Sequence, residues 1–173
     1  ELTAHRQLAA GCDVKKSEVR GMAQRGGSVE AHLRYGEKVY SPLIEPGTAD
    51  ILVAFEILEA VRYLPYLHRD SAVVVNTQKI LPPAVALGKA SYPENILDEL
   101  KSRHINVVAV DAFAVAESVG ELRTANVAMV GAMSNFLAVS PEVFLQVIDD
   151  TVKEQFRDVN KRAFSAGRAA VYA

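Results

Sequence analysis

Cysteine and tryptophan are nearly absent from this 173-residue chain, which has one cysteine, Cys12, and no tryptophan. A single cysteine excludes an intrachain disulfide framework, and it cannot hold an iron–sulfur cluster, which needs several thiolates. We therefore expect the chain to function in a reducing, cytoplasmic compartment. Its four histidines are scattered without the spacing of metal ligands, so no metal site is predicted.

Long apolar runs and an excess of positive charge are missing as well. The sequence has no stretch of about 18 apolar residues and no signal peptide. The formal net charge is −2, so there is no basic field of the kind that nucleic-acid-binding proteins use. We expect neither a membrane nor a nucleic acid as a partner.

Self-sufficient catalytic motifs are also absent. The sequence contains no G-x-S-x-G motif, no P-loop and no complete G-x-G-x-x-G motif. Cys12 would need a base and a neighbour that lowers its pKa to act as a nucleophile, and a small buried thiol is the favoured interpretation. No catalytic residue is predicted.

Three continuous apolar runs, 51–55, 72–75 and 106–110, predict strands that are covered on both faces. Helical segments at 56–66 and 93–100 lie between them, which is typical of βαβ units. The prediction is an α/β fold, a Rossmann-like, doubly wound, mostly parallel sheet in a single domain over residues 1–173. The first eleven residues are typical of the end of a helix, and an α/β chain normally opens on a strand, so we expect a preceding segment to be missing at the N-terminus.

A hairpin and a helical C-terminus complete the predicted fold. Residues 29–35 alternate between apolar and polar, and Gly36-Glu37 suits a turn to a return strand over 38–41, which predicts an antiparallel edge hairpin. Residues 127–137 form a buried apolar helical segment. Ser140-Pro141 starts an amphipathic helix that extends to Val159, and 163–173 is expected to be a light tail.

The segment Ser17–Ser28 is the strongest candidate for a ligand-binding loop, because glycines and a guanidinium suit an anionic or polar ligand. The alternative is a surface turn whose glycines serve only its geometry. Segment Ser17–Ser28 and the residues Glu56, Asn76 and Asp111 all follow the ends of predicted strands. Because this fold class binds ligands beyond the carboxyl ends of its strands, we expect these four sites to line one crevice. Each has an alternative role: Glu56 as a helix cap, Asn76 in a turn and Asp111 as an acceptor for backbone amides.

The residues of this loop and several later segments carry a family resemblance. The run from Ser17 to Val29 and the run Lys38 to Ile44 resemble the gamma component of the 2-oxoacid:ferredoxin oxidoreductases. The match continues through 49–67, Val75-Asn76-Thr77, Pro82-Pro83 and 125–132. Within that family, the form Met22-Ala23-Gln24-Arg25-Gly26-Gly27 is most similar to the small (beta) subunit of indolepyruvate:ferredoxin oxidoreductase.

The resemblance implies a Rossmann-like component of a larger enzyme that converts a 2-oxoacid and coenzyme A to acyl-CoA and carbon dioxide while reducing ferredoxin. It places thiamine diphosphate and iron–sulfur clusters on partner subunits, with no cofactor bound by this chain alone. The family normally opens with a first strand and a Gly-rich loop, so the resemblance implies that both are missing at the N-terminus of this sequence. Coenzyme A is then a co-substrate, and ferredoxin is an indirect partner. The residues expected to line the coenzyme A path or the face toward the thiamine-bearing partner are Gln24, Arg25, Gly26, Gly27 and Ser28, with Glu56 and Asn76 as second candidates.

Two other functions stay open at this point. A stand-alone NAD(P)-binding Rossmann dehydrogenase would require the Gly-rich fingerprint, which these residues lack. A non-catalytic assembly module would use the apolar segment 127–137 and the C-terminal helix as interfaces. Self-association of the isolated chain as a homodimer is also left open.

Overall fold

The computed structural model describes residues 12–20, 29–102 and 106–172. The chain divides into two compact units, the first comprising Glu1–Glu45 and Ser140–Val152 and the second Pro46–Val139 and Lys153–Ala173. Each unit is described by itself below. The single domain over 1–173 stays a prediction.

The described residues contain five strands and seven α-helices, with short 3₁₀ turns between them. In chain order the strands are β1 Asp13–Arg20, β2 Val29–Gly36, β3 Ala49–Ala54, β4 Leu67–Asn76 and β5 Asn106–Val110. The helices are α1 Ile57–Arg62, α2 Pro83–Ala86, α3 Ile96–Ser102, α4 Ala112–Ser118, α5 Ala125–Met133, α6 Pro141–Thr151 and α7 Glu154–Ala169. No helix in these described ranges is long and apolar enough to cross a membrane.

The first unit contains an antiparallel hairpin made of β1 and β2. Asp13 pairs with Gly36 at one end, and Arg20 pairs with Val29 at the other. The prediction of a return strand over 38–41 is wrong. Backbone groups of this segment hydrogen-bond to side chains instead. The Val39 amide donates to Asp13 Oδ2 at 3.0 Å, and the Arg34 guanidinium donates to the carbonyl oxygen of Ser41 at 3.2 Å.

Helix α6 also belongs to the first unit and begins with Pro141, as the sequence predicts. Ser140 lies at the N-cap position, but its side chain does not hydrogen-bond to the helix. The predicted continuation to Val159 is wrong, since Val152 and Lys153 adopt ψ angles of 138° and 139° and so leave the helical region. Helix α7 then starts afresh at Glu154.

The second unit is built on a three-stranded parallel sheet in the order β3-β4-β5. Val74 of the central strand is in register with Val53 of β3 and Val108 of β5. The last six residues of β4, Ser71–Asn76, are all buried, as expected for a central strand covered on both faces. The three predicted parallel strands are confirmed.

Helices cover both faces of this sheet. Successive side chains of each strand point to opposite sides, so each face has its own apolar cluster. On one face, Val73 and Val75 pack in a cluster with Ala60 of α1 and Leu100 of α3. On the other face, Val74 belongs to a cluster formed with α4 and α5. The predicted doubly wound α/β fold with an antiparallel hairpin and a helical C-terminus is therefore confirmed.

Helices α5 and α7 approach closely through two glycines. A Cβ atom on Gly131 would lie 2.1 Å from the Phe164 carbonyl oxygen, and one on Gly167 would lie 2.0 Å from the Ala128 carbonyl oxygen. The expectation that 163–173 is a light tail is wrong, since Ala163 and Phe164 are buried within α7. The small residues of the 127–137 segment thus serve packing inside the unit.

Replacing Gly167 with Ala should lower the free energy of unfolding by about 2–4 kcal/mol, although Ala is normally the better helix residue. The added Cβ would overlap backbone atoms of α5, which cannot rotate away. Urea-induced unfolding measures the change. Gly36→Ala is the control, because a Cβ there meets nothing within 4 Å. Equal stability of both variants would contradict the close helix crossing.

Candidate functional site

The three polar residues that the sequence singles out at strand ends do lie at one edge of the parallel sheet. Ala54 of β3 is in register with Val75 of β4, and Asn76 is in register with Val110 of β5. Asp111 follows directly after β5 and Glu56 lies two residues beyond the end of β3, so both lie near Asn76. This is the edge at which open α/β sheets bind their ligands.

The Glu56 carboxylate is buried, and both of its oxygens accept hydrogen bonds from the chain itself. Oε2 accepts from the Leu58 and Glu59 amides at 2.8 and 3.0 Å, which caps the N-terminus of α1. Oε1 accepts from the Ile80 amide at 3.2 Å and from the Tyr92 hydroxyl at 2.5 Å. Glu56 therefore joins the start of α1 to the segment that follows β4.

Tyr92 donates its hydrogen bond to Glu56 from the far end of the segment that follows β4. Partial burial and the hydrogen bond to Glu56 raise the pKa of its phenol well above the ordinary range, so the hydroxyl stays a hydrogen-bond donor. The Lys79 ammonium lies 5.6 Å from the centre of the Tyr92 ring, within reach of a cation–π contact. Segment 77–93 is thus anchored near both of its ends.

Asn76 connects the ends of all three parallel strands. Its side chain is fully buried. The Nδ2 group donates to the Phe55 carbonyl oxygen at 3.1 Å, and Oδ1 accepts from the Ala112 amide at 3.1 Å. The amide orientation follows from these partners, because a carbonyl can only accept and a backbone N–H can only donate. Asn76 therefore ends β4 and also links the residue after β3 to the start of α4.

Asp111 caps helix α4, with Oδ1 accepting from the Ala114 amide at 2.9 Å. Each of the three strand-end residues therefore hydrogen-bonds to the protein's own backbone, and Glu56 also to the Tyr92 hydroxyl. The alternative roles of Glu56 and Asp111 predict this. A ligand-binding role for Glu56 and Asn76 stays a prediction.

The residues of the predicted loop, Gln24, Arg25, Gly26, Gly27 and Ser28, lie outside the described residues. Their place in the chain is nevertheless defined, since segment 21–28 connects β1 to β2 of the hairpin. Ser17 itself belongs to β1, where it pairs with His32. The expectation that the strand before this loop ends at the same sheet edge as Glu56, Asn76 and Asp111 is wrong, because β1 pairs with β2 in a two-stranded sheet of its own. The ligand-binding role of Gln24–Ser28 stays a prediction.

Sequence reasoning missed the exposed apolar side chains at the sheet edge. Phe55 was expected to end a strand buried on both faces, but 51% of it is exposed because β3 ends one residue earlier. Ile80, Leu81 and Phe113 are exposed by 58%, 53% and 42%. One sequence signal could have revealed these exposed side chains. The apolar pair Ile80-Leu81 stands alone between the polar residues 77–79 and Pro82-Pro83.

Within the described ranges, no group of three or more metal-ligating side chains is found. His32 instead accepts a hydrogen bond from the Ile44 amide on Nδ1 at 2.9 Å, which leaves its Nε2–H to donate to Glu30 at 2.6 Å. Cys12 is half-buried and free.

Comparison with known proteins gives a consistent family assignment. The profile of the family described as "Pyruvate ferredoxin/flavodoxin oxidoreductase" matches residues 1–170. The indolepyruvate oxidoreductase subunit IorB of Archaeoglobus fulgidus is 39% identical over 170 residues, which cover 96% of this chain and 84% of that protein. The corresponding subunit of Thermococcus kodakarensis is 40% identical over 92% of this chain and 82% of its own length.

Solved structures share the fold at lower identity. The gamma subunit of a keto/oxoacid ferredoxin oxidoreductase from Geobacter sulfurreducens matches with a TM-score of 0.68 and 20% identity, covering 99% of this chain and 88% of that one. The 2-oxoglutarate:ferredoxin oxidoreductase of Magnetococcus marinus, solved with 2-oxoglutarate, coenzyme A and succinyl-CoA bound, matches with a TM-score of 0.69 and 18% identity. There the match covers 99% of this chain but 27% of the longer one.

Replacing Glu56 with Ala should lower the free energy of unfolding by about 2–4 kcal/mol, because a helix cap is lost and buried donors lose their acceptor. Glu59→Ala is the matched control. Its carboxylate forms only a 3.3 Å surface pair with Arg62, so its loss should cost less than about 0.5 kcal/mol. Chemical denaturation measures both. Equal stability of Glu56→Ala and the native chain would contradict a structural role for Glu56.

Proposed function

The chain belongs to the pyruvate ferredoxin/flavodoxin oxidoreductase family as a small, gamma-type subunit, and we propose that it supports the coenzyme A-dependent oxidation of a 2-oxoacid. In this reaction the 2-oxoacid loses carbon dioxide, its acyl group forms a thioester with coenzyme A, and two electrons pass to ferredoxin. The observation that carries the proposal is a family match over nearly the whole chain, residues 1–170.

The described residues support a role as one component of a larger enzyme. The polar groups at the carboxyl edge of the sheet are engaged by the chain's own backbone. We propose that companion subunits carry thiamine diphosphate and the iron–sulfur clusters and pass the electrons to ferredoxin. The single cysteine of this chain, Cys12, supports the placement of the clusters on companion subunits, since one thiolate cannot hold a cluster. It also supports a cytoplasmic location.

The substrate we propose is an aryl 2-oxoacid such as indolepyruvate. Relatives named indolepyruvate oxidoreductase subunits are 36–40% identical to this chain. Relatives named common gamma subunits of pyruvate/ketoisovalerate oxidoreductases are 24–28% identical. The greater identity to the first group supports the choice of substrate.

Reconstitution with the companion subunit tests the proposed function. We expect reduction of ferredoxin that depends on indolepyruvate and coenzyme A only when both subunits are present, with pyruvate as the comparison substrate. Equal turnover by the companion alone would show that this chain is not needed for the reaction and would favour an assembly module. Reduction of NAD(P) by this chain alone would show an independent dehydrogenase and contradict the proposal.

We further propose that Gln24, Arg25, Gly26, Gly27 and Ser28 lie along the coenzyme A path or the face toward the thiamine-bearing companion. Their residue types support this, because glycine backbone and a guanidinium suit an anionic or polar ligand. Arg25 would then pair with a phosphate or with a carboxylate of the companion.

Replacing Arg25 with Ala should lower acyl-CoA formation in the reconstituted enzyme at least about tenfold, the effect of losing one charge-assisted contact. Arg69→Ala is the control, since the Arg69 side chain is 90% exposed and pairs only loosely with Asp70 at 3.5 Å. Circular dichroism checks that both variants fold. Unchanged kinetics in the folded Arg25→Ala enzyme would remove Arg25 from the site.

A further inference from the structure

Residues 80–92 run from the carboxyl edge of the parallel sheet to the approach of α3, and we call them the edge loop. None of these residues is buried. Long connections at the edge where open α/β sheets bind their ligands often act as lids. The way in which the edge loop is attached to the rest of the unit therefore indicates what it does.

The edge loop leaves the sheet from a fixed stem formed by Thr77 and Gln78. The Thr77 amide donates to the Val110 carbonyl oxygen at 3.0 Å, and the Ile57 amide donates to the Gln78 carbonyl oxygen at 3.2 Å. These two hydrogen bonds join the stem to the end of β5 and to the start of α1. Any movement of the edge loop therefore begins after the stem.

The middle of the edge loop consists of helix α2 and the turn that ends it. Gly88 has a φ angle of 68°. Its amide donates to the Val85 carbonyl oxygen, and the Lys89 amide donates to the Ala84 carbonyl oxygen, which is the hydrogen-bond pattern of a Schellman motif. In the ranges that the structure describes, residues 81–91 hydrogen-bond only among themselves. The middle of the loop therefore keeps its shape without help from other elements.

One oxygen atom holds both ends of the edge loop. Glu56 Oε1 accepts from the Ile80 amide at 3.2 Å and from the Tyr92 hydroxyl at 2.5 Å. The other oxygen, Oε2, accepts from the Leu58 and Glu59 amides and caps α1. The loop can therefore leave Oε1 while the helix cap stays intact.

We propose that the edge loop is a lid that opens and closes as one body, with Glu56 Oε1 as the contact that holds it closed. Opening breaks both hydrogen bonds at Oε1 and withdraws the half-buried Tyr92 ring from its apolar cluster, but it leaves the internal bonds of the loop in place. It therefore costs less than unfolding the unit. The open lid exposes a carboxylate oxygen at the edge where this fold class binds ligands, so the lid controls access to that edge. The inference does not depend on the proposed function.

Hydrogen exchange at the Ile80 amide of the full chain tests the lid. Tyr92→Phe removes the hydroxyl and keeps the ring. If both ends open together, the Ile80 amide should exchange at least about tenfold faster in this variant, because one hydrogen bond to a carboxylate no longer opposes opening. The Lys89 amide should exchange as in the native chain, since its bond moves with the loop. Tyr40→Phe is the matched control and should leave both rates unchanged, because Tyr40 is 90% exposed.

Three results would overturn the inference. Equal exchange at Ile80 in Tyr92→Phe and in the native chain would show that the two ends open independently. Equal acceleration at Ile80 and Lys89 would show that the loop melts and does not move as one body. Equal acceleration at Ile80 and Leu58 would show that the hydroxyl stabilises the whole unit and not the closed lid alone.

The native chain supplies a second measurement that does not depend on the folding of a variant. The Ile80 amide should be less protected from exchange than the Leu58 amide, because lid opening leaves the cap on Oε2 intact. Equal protection of the two amides would contradict the lid. These measurements involve neither the companion subunit nor turnover, so a failure of the lid leaves the proposed function standing, and a failed reconstitution leaves the lid standing.

Discussion

The second unit depends on one buried carboxylate. Glu56 accepts hydrogen bonds from the Leu58, Glu59 and Ile80 amides and from the Tyr92 hydroxyl. Removing a carboxylate from water is costly unless its oxygens are fully hydrogen-bonded, and these four donors meet that requirement. Two of the donors lie in helix α1, and the other two lie near the two ends of segment 77–93, which connects β4 to α3. The same carboxylate therefore caps a helix and holds this long connection against the end of the sheet.

Glu56 and Asn76 together engage much of the sheet edge at which open α/β folds bind their ligands. Asn76 ties Phe55 to Ala112, and Glu56 ties α1 to segment 77–93, so the polar atoms of these two buried side chains are used inside the chain. The large apolar side chains face outward by default. The chain belongs to a family whose named relatives are subunits.

The sequence predicts those features that depend on neighbouring residues. The three parallel strands are continuous apolar runs, and the strand ends correctly place Glu56, Asn76 and Asp111 at one edge. Features that depend on distant partners could not be predicted. Ile80 and Tyr92 are 24 and 36 residues from Glu56. The partner of β2 was misassigned because Asp13 and Arg34 satisfy segment 38–41 in place of a strand, and the break before α7 has no Gly or Pro to mark it. Phe164 looked peripheral, yet it is buried within α7, which packs closely against α5.

Amide hydrogen exchange at Ile80 in the isolated native chain tests the central claim most directly. Ile80 lies outside any helix or strand, and its amide has the Glu56 carboxylate as its acceptor at 3.2 Å. The account predicts slow exchange at Ile80 between faster neighbours Lys79 and Leu81, for whose amides the described part of the chain shows no acceptor, and it predicts that Glu56→Ala abolishes the difference. Exchange at Ile80 as fast as at Lys79 and Leu81 in the native chain would contradict it.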